Sequence, residues 1–359
     1  MKIRPVSIFL ALTLALSIGF YFLVKNTYFL YTHYNGISFY YIATKLTGNE
    51  KNTLKKLEIL LSYMKENVFC GGGFQVKDLP PLENLIRGLA WCDQASHLYL
   101  RLLEPLDIRG YLLFLNDKKD GTGSSPHSVA AITIGRKDML DFPSITRHGV
   151  IVDGEQGVLF KNTSGESATF SDICDHDILE SQRKYFIEGA NWYDLYCNKA
   201  RVFLSNTPIS KDNLRRRIFY RLIFPLIPEK LIHIYQDMVM DKYHGETFIG
   251  DLDLAKEIDF RYFKARNYHI YGRFEEADEL YSYVIENSSD DTMKSGCLFF
   301  KGMMGFSAGE FEKAEKDFKK ITERYPGSAW APLAGKWLQK IHDGNYISSS
   351  YLPPDRETM

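Results

Sequence analysis

Cysteine is scarce in this chain and shows no pairing pattern. Five occur in 359 residues, at positions 70, 92, 174, 197 and 297, and no two are spaced as C-x-x-C. An odd, scattered set excludes a complete disulfide framework and leaves at least one thiol over. An excess of charge of either sign is also missing: 44 Lys and Arg against 45 Asp and Glu leave a formal net charge of -1. That balance excludes the broad basic face that nucleic-acid phosphates demand, so no nucleic-acid partner is expected. "CDHD" (Cys174 to Asp177) has no second ligand pair at zinc spacing and reads as a surface turn, so no metal site is expected.

What is present is globular: 45% hydrophobic and 25% charged residues, in a chain long enough for two domains and a tail. The exception is the N-terminus. "VSIFLALTLALSIGFYFLV", Val6 to Val24, is nineteen residues without a charge. At about 1.5 Å per residue it nearly spans a hydrocarbon core of roughly 30 Å. Lys2, Arg4 and the terminal amine precede it, whereas Lys25 is the only charge between it and Lys45. This asymmetry predicts a cytoplasmic N-terminus and a single-pass protein in the cell membrane, with the bulk of the chain extracytoplasmic, periplasmic or at the cell surface. A cleaved signal peptide is the rival reading for 1–27, but no A-x-A-like site follows. Tyr28, Phe29, Tyr31, Tyr34, Phe39, Tyr40 and Tyr41 come next, a cluster suited to a headgroup interface or to packing on the domain.

The spacing of Leu54, Leu57, Leu60, Leu61 and Met64 predicts an amphipathic helix or helix pair between Tyr41 and Val68. A Gly- and Pro-rich loop, Cys70 to Pro81, leads to "GLAWCDQASHLYLRLL", where Cys92 opens a helix that stops before Pro105. "IRGYLLFLND" (Ile108 to Asp117) and "HSVAAITIG" (from His127) read as strands joined by the polar stretch Lys118 to Pro126. The expected fold class is α+β: a Cys-bearing helix packed on an antiparallel sheet that carries His and Asp.

An acyl-transferring cysteine attacks as its thiolate, and a free thiol has a pKa near 8.5, so a helix N-terminus or an imidazolium must assist it. The histidine then serves as acid for the leaving group and is oriented by a carboxylate. Cys92 heads a helix, His127 starts a strand, and Asp141 lies fourteen residues later, beyond a turn at Gly135. Antiparallel neighbours would bring His127 and Asp141 together at one sheet edge. His97 and His148 compete as bases, Asp138 and Asp153 compete with Asp141, and only the "LD" context favours Asp141. The main-chain N–H of Cys92 is the first candidate for an oxyanion donor, with Gln75 or Trp91 behind it.

The order of "GLAWCDQASHLYLRLL", "LDIRGYLLFL", "HSVAAITIG" and "MLDFP" resembles the bacterial transglutaminase-like domain of the papain-like cysteine superfamily, over about residues 40 to 157. The resemblance implies a catalytic triad of Cys92 as nucleophile, His127 as base and Asp141 as orienting carboxylate. It implies proteolysis, deamidation or transamidation of a peptide or protein substrate without a cofactor. A scaffold of the same fold that has lost catalysis is the alternative.

Residues 158–257 read as a mainly helical connector. Within it, "LRRRIFYRLIFPLIPEKLIHIY" (Leu214 to Tyr235) suits a helix packed on its neighbours or lying at a membrane interface. Arg221, Glu229, Lys230 and two prolines exclude a second span. Residues 258–344 carry an internal repeat: Gly272 and Gly309, Phe274 and Phe311, and Ala277 and Ala314 align at an offset of 37. With Pro326 after the second unit, this resembles tetratricopeptide repeats, helix–turn–helix units that imply a protein partner. The tail 345–359 reads as disordered.

Overall fold

The structure is a computed structural model that describes residues 27–69, 79–116, 127–134, 148–162, 164–173, 201–204, 224–241 and 254–344. The expected membrane anchor, the loop after Cys70, the "MLDFP" stretch with Asp141, and the C-terminal tail lie outside the described residues. No helix among the described residues is long and apolar enough to cross a membrane.

Four helices come first: α1 (Thr27–Thr47), α2 (Thr53–Asn67), α3 (Pro81–Arg87) and α4 (Cys92–Leu103). Asn52 starts α2 by accepting from the N–H groups of Leu54 at 2.9 Å and Lys55 at 3.3 Å. The predicted apolar positions Leu57, Leu60, Leu61 and Met64 are buried. In α4 the fully buried apolar residues are Ala95, Leu98, Tyr99, Leu102 and Leu103, the spacing of one helix face. That face sits among α1, α2, α3 and the sheet, so α4 is the central helix of the α+β unit. Of the aromatic cluster, Tyr34, Phe39, Tyr40 and Tyr41 pack in the core, whereas the side chains of Tyr28, Phe29 and Tyr31 lie outside those described.

The sheet comprises β1 (Arg109–Asn116), β2 (His127–Thr133), β3 (Val150–Asp153), β4 (Val158–Leu159) and β5 (Arg201–Leu204). Its spatial order is β4-β3-β2-β1-β5, antiparallel throughout. Every residue of β2 is buried, which explains why "HSVAAIT" lacks the apolar–polar alternation of a one-sided strand. Two strands, β4 and β5, fall in the stretch expected to be a mainly helical connector. Segments of two and four residues are too short to carry a legible period. The same stretch also contributes α5 (Glu229–Val239), which packs on α1 through buried Ile232 and Val239. Nearby, Phe224 meets Tyr40 edge-on, with ring centroids 4.7 Å apart.

Five helices follow: α6 (Leu254–Ile270), α7 (Phe274–Asn287), α8 (Asp291–Ser307), α9 (Phe311–Arg324) and α10 (Ala331–His342). Each packs on the next along the chain. The repeat aligned at Gly272 and Gly309 is a structural one: both glycines turn between helices in the left-handed region, at φ 77 and 78. Phe274 and Phe311 open α7 and α9, while Ala277 and Ala314 are fully buried.

Arg266 joins this array to the α+β unit. It is fully buried, and its Nε donates to the carbonyl of Ile86 at 2.9 Å. Its Nη2 donates to the carbonyls of Asn67 at 3.0 Å and Leu85 at 3.2 Å. These carbonyls belong to the last turns of α2 and α3, where a helix leaves acceptors unused and carries partial negative charge. The guanidinium also lies over the Phe300 ring, 3.6 Å from its centroid. Around it, burial and then the charge of Arg266 hold His269 well below the ordinary imidazole range. Tyr34 donates to Asn267 Oδ1 at 2.7 Å and Tyr63 to the Ile270 carbonyl at 2.9 Å, adding further ties between α1, α2 and α6.

Candidate active site

Cys92 is the first residue of α4, on the approach side of the helix that the sheet supports. The backbone leading to it is pinned, because Phe69 N–H donates to the Gly88 carbonyl at 2.9 Å and Ala90 N–H to the Phe69 carbonyl at 3.2 Å. Trp91 is extended at φ -83, ψ 170 and provides no side-chain cap. Its N–H donates to Gln94 Oε1 at 3.1 Å. The half-buried Cys92 thiol therefore stands at the positive end of a helix. Trp91, 46% exposed, flanks it as the most solvent-facing aromatic of the site.

Two contacts bring strand and helix into register. Ser96 Oγ donates to the Ser128 carbonyl at 3.0 Å, fastening α4 to β2 beside His127. On the other flank β3 turns tightly at Gly154, where a Cβ would stand 3.1 Å from the backbone of Ala95 and Ser96. Only a residue without a side chain lets the turn approach the helix backbone this closely. Ala130 pairs with Val152, so Asp153 draws level with Val129, two residues from His127 on the same face of the sheet.

The result is a convergence of four side chains. His127 Nε2 lies 2.7 Å from Asp153 Oδ2, and both side chains are almost wholly buried, at 4% and 0% exposure. Asp153 is itself fixed, because its Oδ1 accepts from the Gln156 N–H at 2.9 Å. His127 Nδ1 lies 3.3 Å from Glu155 Oε2, and the Cys92 thiol hydrogen-bonds with the imidazole. One ligand atom each from Cys92, His127 and Glu155 lie within 4.8 Å of one another.

Carboxylates only accept, so a ring with one at each nitrogen is favoured with an N–H on both. Burial opposes the imidazolium. The charge of Asp153, and hydrogen bonds with Asp153, Cys92 and Glu155, outweigh that and push His127 from 6.5 up to about 12. The sulfur therefore faces a cation on one side and the start of a helix on the other.

The structure thus brings Cys92 and His127 together, as the sequence led us to expect. The carboxylate on His127 is Asp153, which the sequence offered only as a competitor of Asp141. Asp141 and Asp138 lie outside the described residues, as do Gln75 and Cys174 to Asp177. His97 is half-buried on α4 and His148 is exposed before β3. Glu155 had no place in the sequence reading. Its signal was "VIVDGEQG", an apolar strand ending in an Asp-Gly turn, which sets two carboxylates at one sheet edge. Cys297, in contrast, is a packing thiol: it is fully buried in α8, and burial pushes it well up.

Comparison with protein-family models, with curated proteins and with solved structures returned no match for this chain.

Proposed function

We propose that the chain is a cysteine acyl-transfer enzyme of the transglutaminase-like, papain-like kind, acting on the carboxamide or peptide carbonyl of a peptide or protein. The observation that carries this reading is the convergence of sulfur, imidazole and carboxylate from a helix start, a strand and a turn. The Cys92 thiolate attacks the carbonyl carbon, and the main-chain N–H of Cys92 faces the developing oxyanion. His127 delivers a proton from Nδ1 to the leaving amine or ammonia, the C–N bond breaks, and a thioester remains. Water or a primary amine then attacks the thioester and gives a proton back to Nδ1, and the C–S bond breaks to restore the thiolate. Asp153 keeps the proton on Nε2 and fixes the ring plane throughout. The scheme uses only groups of the chain itself. Hydrolysis by water makes the enzyme a protease or deamidase, and capture by an amine makes it a transamidase.

In this reading the uncharged Val6–Val24 stretch anchors the domain at the outer side of the cell membrane. The helical array, built like tetratricopeptide units, holds a protein partner or the substrate chain. A thiol-directed electrophile tests the chemistry. Fast labelling of Cys92 that depends on His127 and vanishes in Cys92→Ser supports the reading, whereas Cys92 labelling at the rate of thiols in the urea-unfolded chain overturns it. Retention in the membrane fraction after alkaline carbonate washing, lost when residues 6–24 are deleted, tests the anchor.

A further inference from the structure

The imidazole has a carboxylate on each side, and acyl transfer as described uses only one of them. Glu155 stands on the nitrogen that exchanges its proton with sulfur, where it contributes nothing to orienting Nε2. Its side chain is 15% exposed, and its Oε2 is 3.3 Å from Nδ1. Sulfur, imidazole nitrogen and carboxylate oxygen within 4.8 Å of one another are the donor set of a borderline-soft divalent cation.

We propose that Cys92, His127 and Glu155 form a three-ligand site for a zinc-class cation, and that its occupation switches the cysteine off. The inference rests on the acyl-transfer reading for its consequence, not for its ligands.

Three features of the geometry support it. The donors come from three elements, namely the start of α4, the start of β2 and the β3–β4 turn, and still come within 4.8 Å of one another. Tetrahedral coordination at about 2.0–2.3 Å puts donor atoms roughly 3.3–3.8 Å apart, so the site needs only a small contraction. Asp153 already accepts from Nε2–H, which is how a metal-bound imidazole is ordinarily held, with the opposite nitrogen on the ion. On binding, Sγ and Nδ1 both coordinate, and the one proton they shared leaves to solvent. Nε2 keeps its own proton, and nothing is oxidised or reduced.

The test uses the full chain, stripped of metal and titrated with Co²⁺ and then Zn²⁺. The expected result is one equivalent of Co²⁺ giving a thiolate-to-cobalt charge-transfer band and the visible bands of a tetrahedral site, both displaced by Zn²⁺. Zn²⁺ should protect Cys92 from iodoacetamide. In Glu155→Gln, folded by circular dichroism, the Co²⁺ affinity should fall by about tenfold or more relative to the parent. A band that persists in Cys92→Ser, or a Co²⁺ affinity unchanged in a folded Glu155→Gln, overturns the site. Fast alkylation of Cys92 with no band and no protection overturns the site and leaves the acyl-transfer reading standing. A band and protection with alkylation no faster than in the unfolded chain do the reverse.

Discussion

His127 Nε2 and Asp153 Oδ2 are 2.7 Å apart, across a pair of adjacent strands and out of reach of solvent. The bond selects the ring tautomer and fixes which nitrogen can face the thiol. It also assigns the orienting role to a residue twelve positions beyond Asp141, at the end of β3.

Asp153→Asn should lower turnover, or Cys92 alkylation where no substrate is at hand, by up to about 10⁴, because an amide no longer holds the ring in the right tautomer. Asp141→Asn should leave the rate within a few-fold of the parent. Alkylation kinetics of the two purified variants, followed by mass spectrometry at Cys92, decide between the two carboxylates.

Stability should depend on pH through the same pair. His127 is raised in the folded chain, so its contribution is fully present below its unfolded value of 6.5 and is lost as pH rises from there toward about 12. Urea midpoints should therefore fall between about pH 6.5 and pH 9, and the fall should flatten in His127→Gln. A midpoint that rises over this interval in the parent, with the same rise in His127→Gln, would show that other groups set the trend.

Gly154→Ala should act on both stability and reactivity. The added methyl meets the backbone of Ala95 and Ser96 at 3.1 Å, and neither can swing aside as a side-chain tip would. A cost of about 1–3 kcal/mol is expected. The β3–β4 turn should back away from α4, taking Asp153 and Glu155 with it, so Cys92 labelling should slow even where the variant remains folded. Circular dichroism and labelling on the same sample separate the two effects.

Arg266→Met should destabilise the chain by at least about 2 kcal/mol, since the carbonyls of Ile86, Asn67 and Leu85 then lose the guanidinium in a dry interior, and Leu85 keeps only its bond from the Gly88 N–H. Arg266→Lys should recover only part of this, because an ammonium on a flexible stem does not reproduce the planar fork. Denaturant unfolding followed by tyrosine and tryptophan fluorescence measures both.

The helical parts of the fold were the most legible in the sequence. Leu57, Leu60, Leu61 and Met64 announced α2 by spacing alone, and the glycine, phenylalanine and alanine triplets announced the paired helices of the array. The Cys–His half of the site was readable because each residue opens an element, and element starts are marked by local chemistry. The carboxylate was not, because nearness across strands depends on register. Register is set by a β2–β3 pairing of only a few residues, which leaves no periodic trace. Glu155 was illegible for a related reason: a turn residue gains meaning only from what the turn is pressed against.

The buried guanidinium of Arg266 has a practical corollary for anyone dissecting the molecule. Severing the chain at residue 257 would strip the Arg266 guanidinium from the ends of two helices and uncover the aromatic floor beneath them. A phenotype lost with such a truncation would report collapse of the remaining piece as readily as loss of a docking platform. The work of the helical array is therefore better probed by changing its outward-facing side chains one at a time, with the seam left whole.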